Sequence, residues 1–382
     1  MYLFKLKTSL TNNLINIPGW RTNRKVIVIE SDDWGSIRMP SKESYNRMLS
    51  LGINVDHDPY CKFDNIANSD DLMMLFEALQ SVKDKNGNPA KLTANCVVAN
   101  PDFKKIKENN FNEYHYELFT ETIKKQPYED VFYLWKQGLK EKLFVPQFHG
   151  REHLNVKKWL GLLRDGNRET LIAFNENTFG LTKLSASTIG EGFMSEFNSG
   201  LKEDLSFQSE TLESGLKHFY EIFEYQSKSF IATTYTWHPQ IEKTLFDCGV
   251  RYLQGMISQK IPIDNGDNFK YVNSNYQGKR NCNGLIHLMR NCYFEPSQIE
   301  NKSTSIDYCL KRIEIAFKWH KAAVISTHRL NFIGSIDEKN RSENNKLFRK
   351  LLSQIISKWP EVEFMSSDEL GNEIIQSKYK QK

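Results

Sequence analysis

No run in this 382-residue chain approaches the roughly 20 consecutive apolar residues of a membrane-spanning helix, so no transmembrane segment is expected. The opening Met1-Tyr2-Leu3-Phe4-Lys5-Leu6-Lys7 is apolar and basic, but Lys, Thr and Asn interrupt it before a signal-peptide core develops. The expected location is the cytoplasm, with at most a peripheral, weak attraction of the N-terminus to a membrane surface. Cysteine is scarce and unpatterned. The six, at positions 61, 96, 248, 282, 292 and 309, form no Cys-x-x-Cys pair and no dense framework. Reduced thiols are expected, and a cysteine-ligated zinc is not. Charge of a single sign is lacking too: 51 Lys and Arg face 47 Asp and Glu, a formal net charge of +4, and the basic residues form no tract. Nucleic acid is therefore not an implied partner. No internal repeat or low-complexity tract is present, and nothing in the pattern specifies an oligomeric state.

What is present is a rhythm. Short β-branched runs alternate with longer helical patterns, as parallel strands joined by crossover helices require. The strand-like runs are Lys25–Ser31, Leu92–Ala99, Leu143–Phe148, Ser229–Tyr235, Val250–Leu253, Leu285–Arg290, Ala322–Thr327 and Val362–Met365. The helical periods fall over Asp70–Val82, Tyr128–Lys140, Val156–Leu163, Leu212–Tyr225, Ile241–Cys248, Ser305–Lys321 and Asn344–Lys358. The expected fold is α/β, a distorted (β/α)7-type barrel over residues 25–375 behind an N-terminal extension, 1–24. Two polar stretches near 165–200 and 261–283 break the rhythm and read as loop insertions, either mobile surface or cover for a substrate cleft.

The reactive residue types gather at the carboxyl ends of the predicted strands. Asp32-Asp33 follows the first, His149-Gly150-Arg151-Glu152-His153 the third, Tyr235-Thr236-Trp237-His238 the fourth, and Thr327-His328-Arg329 the run from Ala322. In a parallel α/β barrel these ends share one face, the face that carries active sites. Two imidazoles at i and i+4 lie on one face of a helical turn and can grip one divalent metal. Asp33, His149 and His153 make three ligands with a position left open, the catalytic zinc pattern. Asp32 can then serve as base and His328 as acid, approaching from the side of the metal opposite Asp32. Trp34, Tyr235 and Trp237 can stack on a sugar ring, with buried packing as their other reading. His238 and Arg290 complete the expected substrate contacts. His57, His115, His218 and His320 read as surface or packing residues, and His287 as a packed strand residue.

These motifs resemble the polysaccharide deacetylase superfamily, the nodulation-deacetylase-like carbohydrate esterases, in order from Lys25 to about Leu370. Glu30-Ser31-Asp32-Asp33 is similar to the family's first motif, in which the first aspartate is the base and the second binds metal. His149-Gly-Arg-Glu-His153 resembles the second, and Ser326-Thr327-His328 the late strand whose histidine is the acid. Val362–Leu370 resembles the last strand and helix start. The departures are Trp34 in place of the glycine after the second aspartate, no arginine within Tyr235–Pro239, and no clear fourth, aspartate-tryptophan motif. Arg290 or Arg151 would have to stand in for the missing arginine.

The resemblance implies hydrolysis of an N-acetyl, or less readily O-acetyl, group with zinc or a similar divalent ion. The substrate it implies is an acetylated sugar, a nucleotide sugar or a lipid-linked glycan. Two alternatives stay open. The same segment satisfies His-x-x-Glu-His, a zinc-protease signature with Glu152 as base, and the weak third and fourth motifs also suit a barrel that binds glycan without turnover.

Overall fold

The computed structural model describes residues 10–125, 131–190 and 192–379. Nine strands form one sheet: β1 (Lys25–Trp34), β2 (Leu92–Val97), β3 (Phe144–Gly150), β4 (Ser229–Phe230), β5 (Tyr252–Gly255), β6 (Ile286–Met289), β7 (Cys292–Tyr293), β8 (Ala323–His328) and β9 (Val362–Met365). Their order is β6-β5-β4-β3-β2-β1-β8-β7, and every pairing is parallel. β9 pairs with the first residues of β1, directly below the point where β2 takes over at Ile29. The two ends of this order, β6 and β7, are separated in the chain only by Arg290 and Asn291. A single stretch of chain thus touches both edges, so the sheet curls into the expected distorted (β/α) barrel. The sequence rhythm missed two-residue β7 and overextended β4, whose predicted end is a one-turn 3-10 segment at Thr233–Tyr235.

Alternation along β1 divides the interior. Ile27 and Ile29 pack outward with Leu72, Leu75 and Phe76 of helix Ser69–Gln80. Val26 and Val28 face inward with Leu288 and Val324, and Leu370 and Ile374 of the last helix, Ser367–Tyr379, close that end. Towards the carboxyl ends the inward positions turn polar. Asn95 on β2 and Gln254 on β5 exchange amide hydrogen bonds of 2.8 and 2.9 Å although their strands are not neighbours, a contact possible only across the barrel. Gln254 also donates to Ser229, and Gln147 accepts from the Ser229 amide, each at 2.8 Å. A buried network with its members paired in this way is rigid, and it forms the floor of the site.

The helical periods appear with shifted ends. Asn68 and Asp71 form a capping box that starts helix Ser69–Gln80, and the period at 212–225 belongs to a longer helix, Lys202–Phe223. The helix expected over Tyr128–Lys140 is seen from Val131; its first residues, like Met1–Lys7, lie outside the described residues. The two polar stretches carry order of their own, a helix at Arg168–Asn175 and an antiparallel hairpin of Gln259–Ile263 with Asn268–Val272. Among the described residues no helix is long and apolar enough to cross a membrane.

Candidate active site

Asp32 and Asp33 lie inside β1, which continues through Trp34, rather than in a loop beyond it. Successive strand residues face opposite sides of a sheet, yet both carboxylates line one cavity. A bulge explains this. Between Ser31 and Trp34, β1 spends one residue more than β2 does between Ala94 and Cys96, and Asp33 takes the left-handed φ of 75°. The bulge turns the Asp33 side chain back to the side that Asp32 already faces.

β3 repeats the device with His149. Phe148 pairs with Cys96 and Gly150 with Val97, leaving His149 as the extra residue. The histidine pair is therefore not on one helical turn, as its spacing suggested. His149 is held in the sheet, Gly150 has φ 127°, and helix Val156–Arg164 begins only after Asn155 caps it. A left-handed glycine breaks the helical repeat and turns the chain, which returns His153 to its partner with ring centroids 5.3 Å apart.

Asp33, His149 and His153 form a buried group whose ligand atoms all lie within 4.8 Å of one another. The Nε2 atoms of His149 and His153 lie 3.6 and 3.3 Å from Asp33 Oδ1. His149 Nδ1 sits 2.8 Å from the Ile231 carbonyl, which can only accept, so the lone pair is on Nε2. That Nε2 is buried without a partner. A lone pair facing a carboxylate oxygen is satisfied by a cation between them, so these residues fit a divalent metal. Burial and the nearby Arg38 hold the His153 imidazole well below its usual pKa, in the neutral form a metal needs. Burial raises the Asp33 pKa, but Arg38, 3.2 Å away, and the histidines keep it well below the carboxylate range.

Arg290 does not face the cavity as a substrate contact. Its side chain is fully buried, and its two Nη atoms grip the two oxygens of Asp32 at 2.6 Å each while Nε reaches Glu30 at 2.6 Å. The arginine that holds Asp32 thus comes from the end of β6, not from the segment after β4. Asn95 adds a 2.8 Å hydrogen bond to Asp32 Oδ1. Burial raises the Asp32 pKa, but Arg290 outweighs it and holds the carboxyl ionised.

His328 ends β8 in direct register with Asp32 on the neighbouring strand. Its Nε2 lies 3.8 Å from Asp32 Oδ2. Acid and base candidates thus share one flank of the group, not opposite sides, because adjacent parallel strands deliver them at the same height. Nδ1 is bound to Glu295 at 2.6 Å. Burial would lower the His328 pKa, but Glu295, with Asp32 and Asp33, raises it to about 9.

The cavity measures about 700 Å³ including the open solvent at its mouth. Tyr60, Thr182, Met194 and Tyr235 line its walls, so residues of the 165–200 stretch do border the cleft. Tyr235 keeps a place at the site, its hydroxyl accepting from Arg290 at 2.8 Å. Trp34 does not: it is fully buried edge-on to Trp135 and Phe144. Trp237 is buried and donates to Glu242 at 3.0 Å, and neither ring leaves a face for a sugar. His238 is absent from the lining and accepts from the Gln240 amide at 3.3 Å, and the lining includes none of His57, His115, His218, His287 or His320. Glu152 is also absent from this lining and is held by Arg151 at 2.7 and 2.8 Å. Sequence reasoning missed Arg38, Tyr60 and Glu295. Arg38 follows β1 by a few residues, a position that was a usable signal, whereas Glu295 follows the two-residue β7, which leaves no trace in the sequence pattern.

No family model matches the sequence, and no curated protein matches it. Solved structures similar to the chain include the peptidoglycan deacetylase PdaC of Bacillus subtilis (10% identity, 94% of this chain and 95% of that one, TM-score 0.34). Another is the Puue allantoinase (8% identity, 92% of this chain and 91% of that one, TM-score 0.45). A third is a 4-alpha-glucanotransferase of Thermococcus litoralis (11% identity, TM-score 0.42), where 91% of this chain spans 40% of that one.

Proposed function

We propose that this chain is a metal-dependent hydrolase that removes an acetyl group, bound through nitrogen or oxygen, from a sugar or glycan precursor. The observation that carries the reading is the convergence of Asp33, His149 and His153 in one cavity with a clamped carboxylate, Asp32, and a protonated imidazole, His328. The motif order along the sequence supports a sugar as substrate. A divalent ion on the three ligands would supply Lewis acidity to the acetyl carbonyl and to water. Asp32, fixed in plane by the Arg290 fork, accepts the proton of the attacking water. His328 donates its proton to the departing nitrogen or oxygen, and Glu295 keeps that proton in place until it is needed.

Glu152 suits a protease base poorly, since its carboxylate is bound by Arg151 and lies outside the cavity. The test is acetate release from a panel of acetylated nucleotide sugars and glycan oligomers. Asp32→Asn should lower turnover by roughly a hundredfold or more with metal still bound, and Glu152→Gln by less than about tenfold. Peptide cleavage that is lost in Glu152→Gln would overturn the deacetylase reading. Undiminished metal and glycan affinity without turnover on any substrate would favour the binding-only alternative.

His328 gives the pH dependence. The imidazolium is the active form, so turnover should hold up to about pH 9 and fall above it. Glu295→Gln removes the chief raising influence, and the alkaline limb should move down towards the ordinary histidine value of about 6.5. The stability contributed by the His328–Glu295 pair has the same sign: present in full below about pH 6.5 and lost as pH rises through about 9. A pH–rate profile of both proteins measures the shift; identical limbs would remove His328 from the acid role.

A further inference from the structure

The N-terminal extension has its polar side inward and its apolar side outward. Residues 10–14 form a helical turn that backbone hydrogen bonds carry on to Ile17, with Ile15 N–H donating to the Thr11 carbonyl at 3.1 Å and Ile17 N–H to the Leu14 carbonyl at 3.2 Å. The face against the domain is made of asparagines. Asn12 and Asn16 are buried, and their Oδ1 atoms accept from Arg312 at 2.6 Å and from Asn291 at 2.9 Å. Asn13 Oδ1 accepts from the Trp319 indole at 2.9 Å. Leu10, Leu14 and Ile17, spaced i, i+4, i+7 and so on one stripe, are 62%, 53% and 38% exposed. A surface helix of a globular domain normally turns its apolar stripe to the core. Here the asparagine hydrogen bonds fix the orientation and hold the stripe outward.

Charge in this part of the chain is one-sided. Residues 1–29 contain Lys5, Lys7, Arg21, Arg24 and Lys25 and no acidic residue. Arg24 and Lys25 are taken up by Glu363, Glu373 and Glu361 of the barrel. Lys5, Lys7 and Arg21 bracket the apolar stripe in the sequence, and Leu3 and Leu6 stand seven and four positions before Leu10, at the same helical spacing. Trp20 donates to Ser377 of the last helix at 2.6 Å, and the sequence beyond that contact adds Lys378, Lys380 and Lys382. An apolar stripe with basic neighbours is the pattern of a helix that lies in a membrane interface, where the bases meet anionic headgroups. A second copy of the chain fits less well. Three such side chains fall short of the roughly 1,200 Å² that a stable interface buries, and two copies would oppose basic segments of like sign.

We infer that the stripe of Leu10, Leu14 and Ile17, with the basic residues around it in the sequence, docks this protein on the surface of an anionic lipid bilayer. The three side chains enter the headgroup boundary, and the bases hold the anionic lipids beside them. None of these residues lines the Asp33–His149–His153 cavity, so the inference stands whether or not the hydrolase reading does.

The test is co-sedimentation of the full chain with vesicles of phosphatidylcholine, alone or with about a third phosphatidylglycerol. Wild type should bind the anionic vesicles and far less the neutral ones. The bound fraction should fall as salt rises from about 0.1 M to about 1 M, which shortens the screening length from about 10 Å to about 3 Å. Leu10→Ser combined with Leu14→Ser should weaken binding to anionic vesicles about tenfold or more. Both side chains face water, so thermal unfolding of that variant should match wild type. Lys5→Gln, Lys7→Gln and Arg21→Gln together should remove most of the preference for anionic vesicles. Absence of wild-type binding to anionic vesicles overturns the docking, as does equal binding by the leucine variant and wild type. A dimer in solution that the leucine variant dissolves, without vesicle binding, assigns the stripe to a second copy and overturns it too.

Discussion

Alanine at position 153 should leave the protein folded and without stoichiometric metal, and acetate release should fall to background. His153 is 6% exposed, and its Nδ1 makes no hydrogen bond, so little of the local structure depends on the ring. Its Nε2, by contrast, is one of only three ligand atoms in the group, facing Asp33 Oδ1 at 3.3 Å. Two remaining protein ligands do not make a catalytic site of the usual three-ligand kind. Elemental analysis of the purified variant against wild type gives the metal content, and near-ultraviolet circular dichroism gives the fold. Unchanged metal content in the folded variant would take His153 out of the ligand set.

The second large effect concerns stability. Arg290→Met should cost about 3–5 kcal/mol in denaturant unfolding, the usual penalty for removing one partner of a buried ion pair. Arg290 is the cation that bridges Glu30 and Asp32, and all three side chains are buried. The variant leaves two adjacent carboxylates in the barrel interior, where burial already raises the Glu30 pKa even with Arg290 present. Its deficit should be largest near neutrality and shrink as pH falls, because protonation relieves both groups. In wild type Asp32 contributes with the opposite sign. Its folded-state pKa is depressed, so its stabilisation is present above the ordinary carboxylate value of about 3.9 and is lost as pH falls below it. Arg290→Lys should fall between the two, since one ammonium cannot make the fork to Asp32 and also reach Glu30. A variant no less stable than wild type from pH 5 to 8 would show that the clamp is not what holds these carboxylates.

Legibility differed from residue to residue. The strand runs were readable because burial on both faces leaves near-continuous Val and Ile, as in Lys25–Glu30. The acidic pair and the histidine pair were readable by residue type and by position at strand ends. Their geometry was not. The His149–His153 spacing suggested a helical turn, whereas the sheet claims His149 and Gly150 turns the chain. Trp34, an apparent sugar contact from its place beside the acidic pair, is carried by the same bulge into the aromatic core. The two-residue β7 is too short to produce any period.

The sequence by itself determined which chemical groups this chain owns, the order in which strands and helices would form, and that four reactive clusters would reach one end of a barrel. Those properties are local: alternation, helical period and β-branching act over a few residues and survive any change in the rest of the chain. Only the tertiary structure decided that Arg290 meets Asp32 across 258 positions, that Glu295 holds His328 across 33, and that Asp32 and His328 share a flank. These follow from strand order, register and two one-residue bulges. A shift of one residue in any of them turns a side chain to the other face of the sheet, and no local pattern records which register wins.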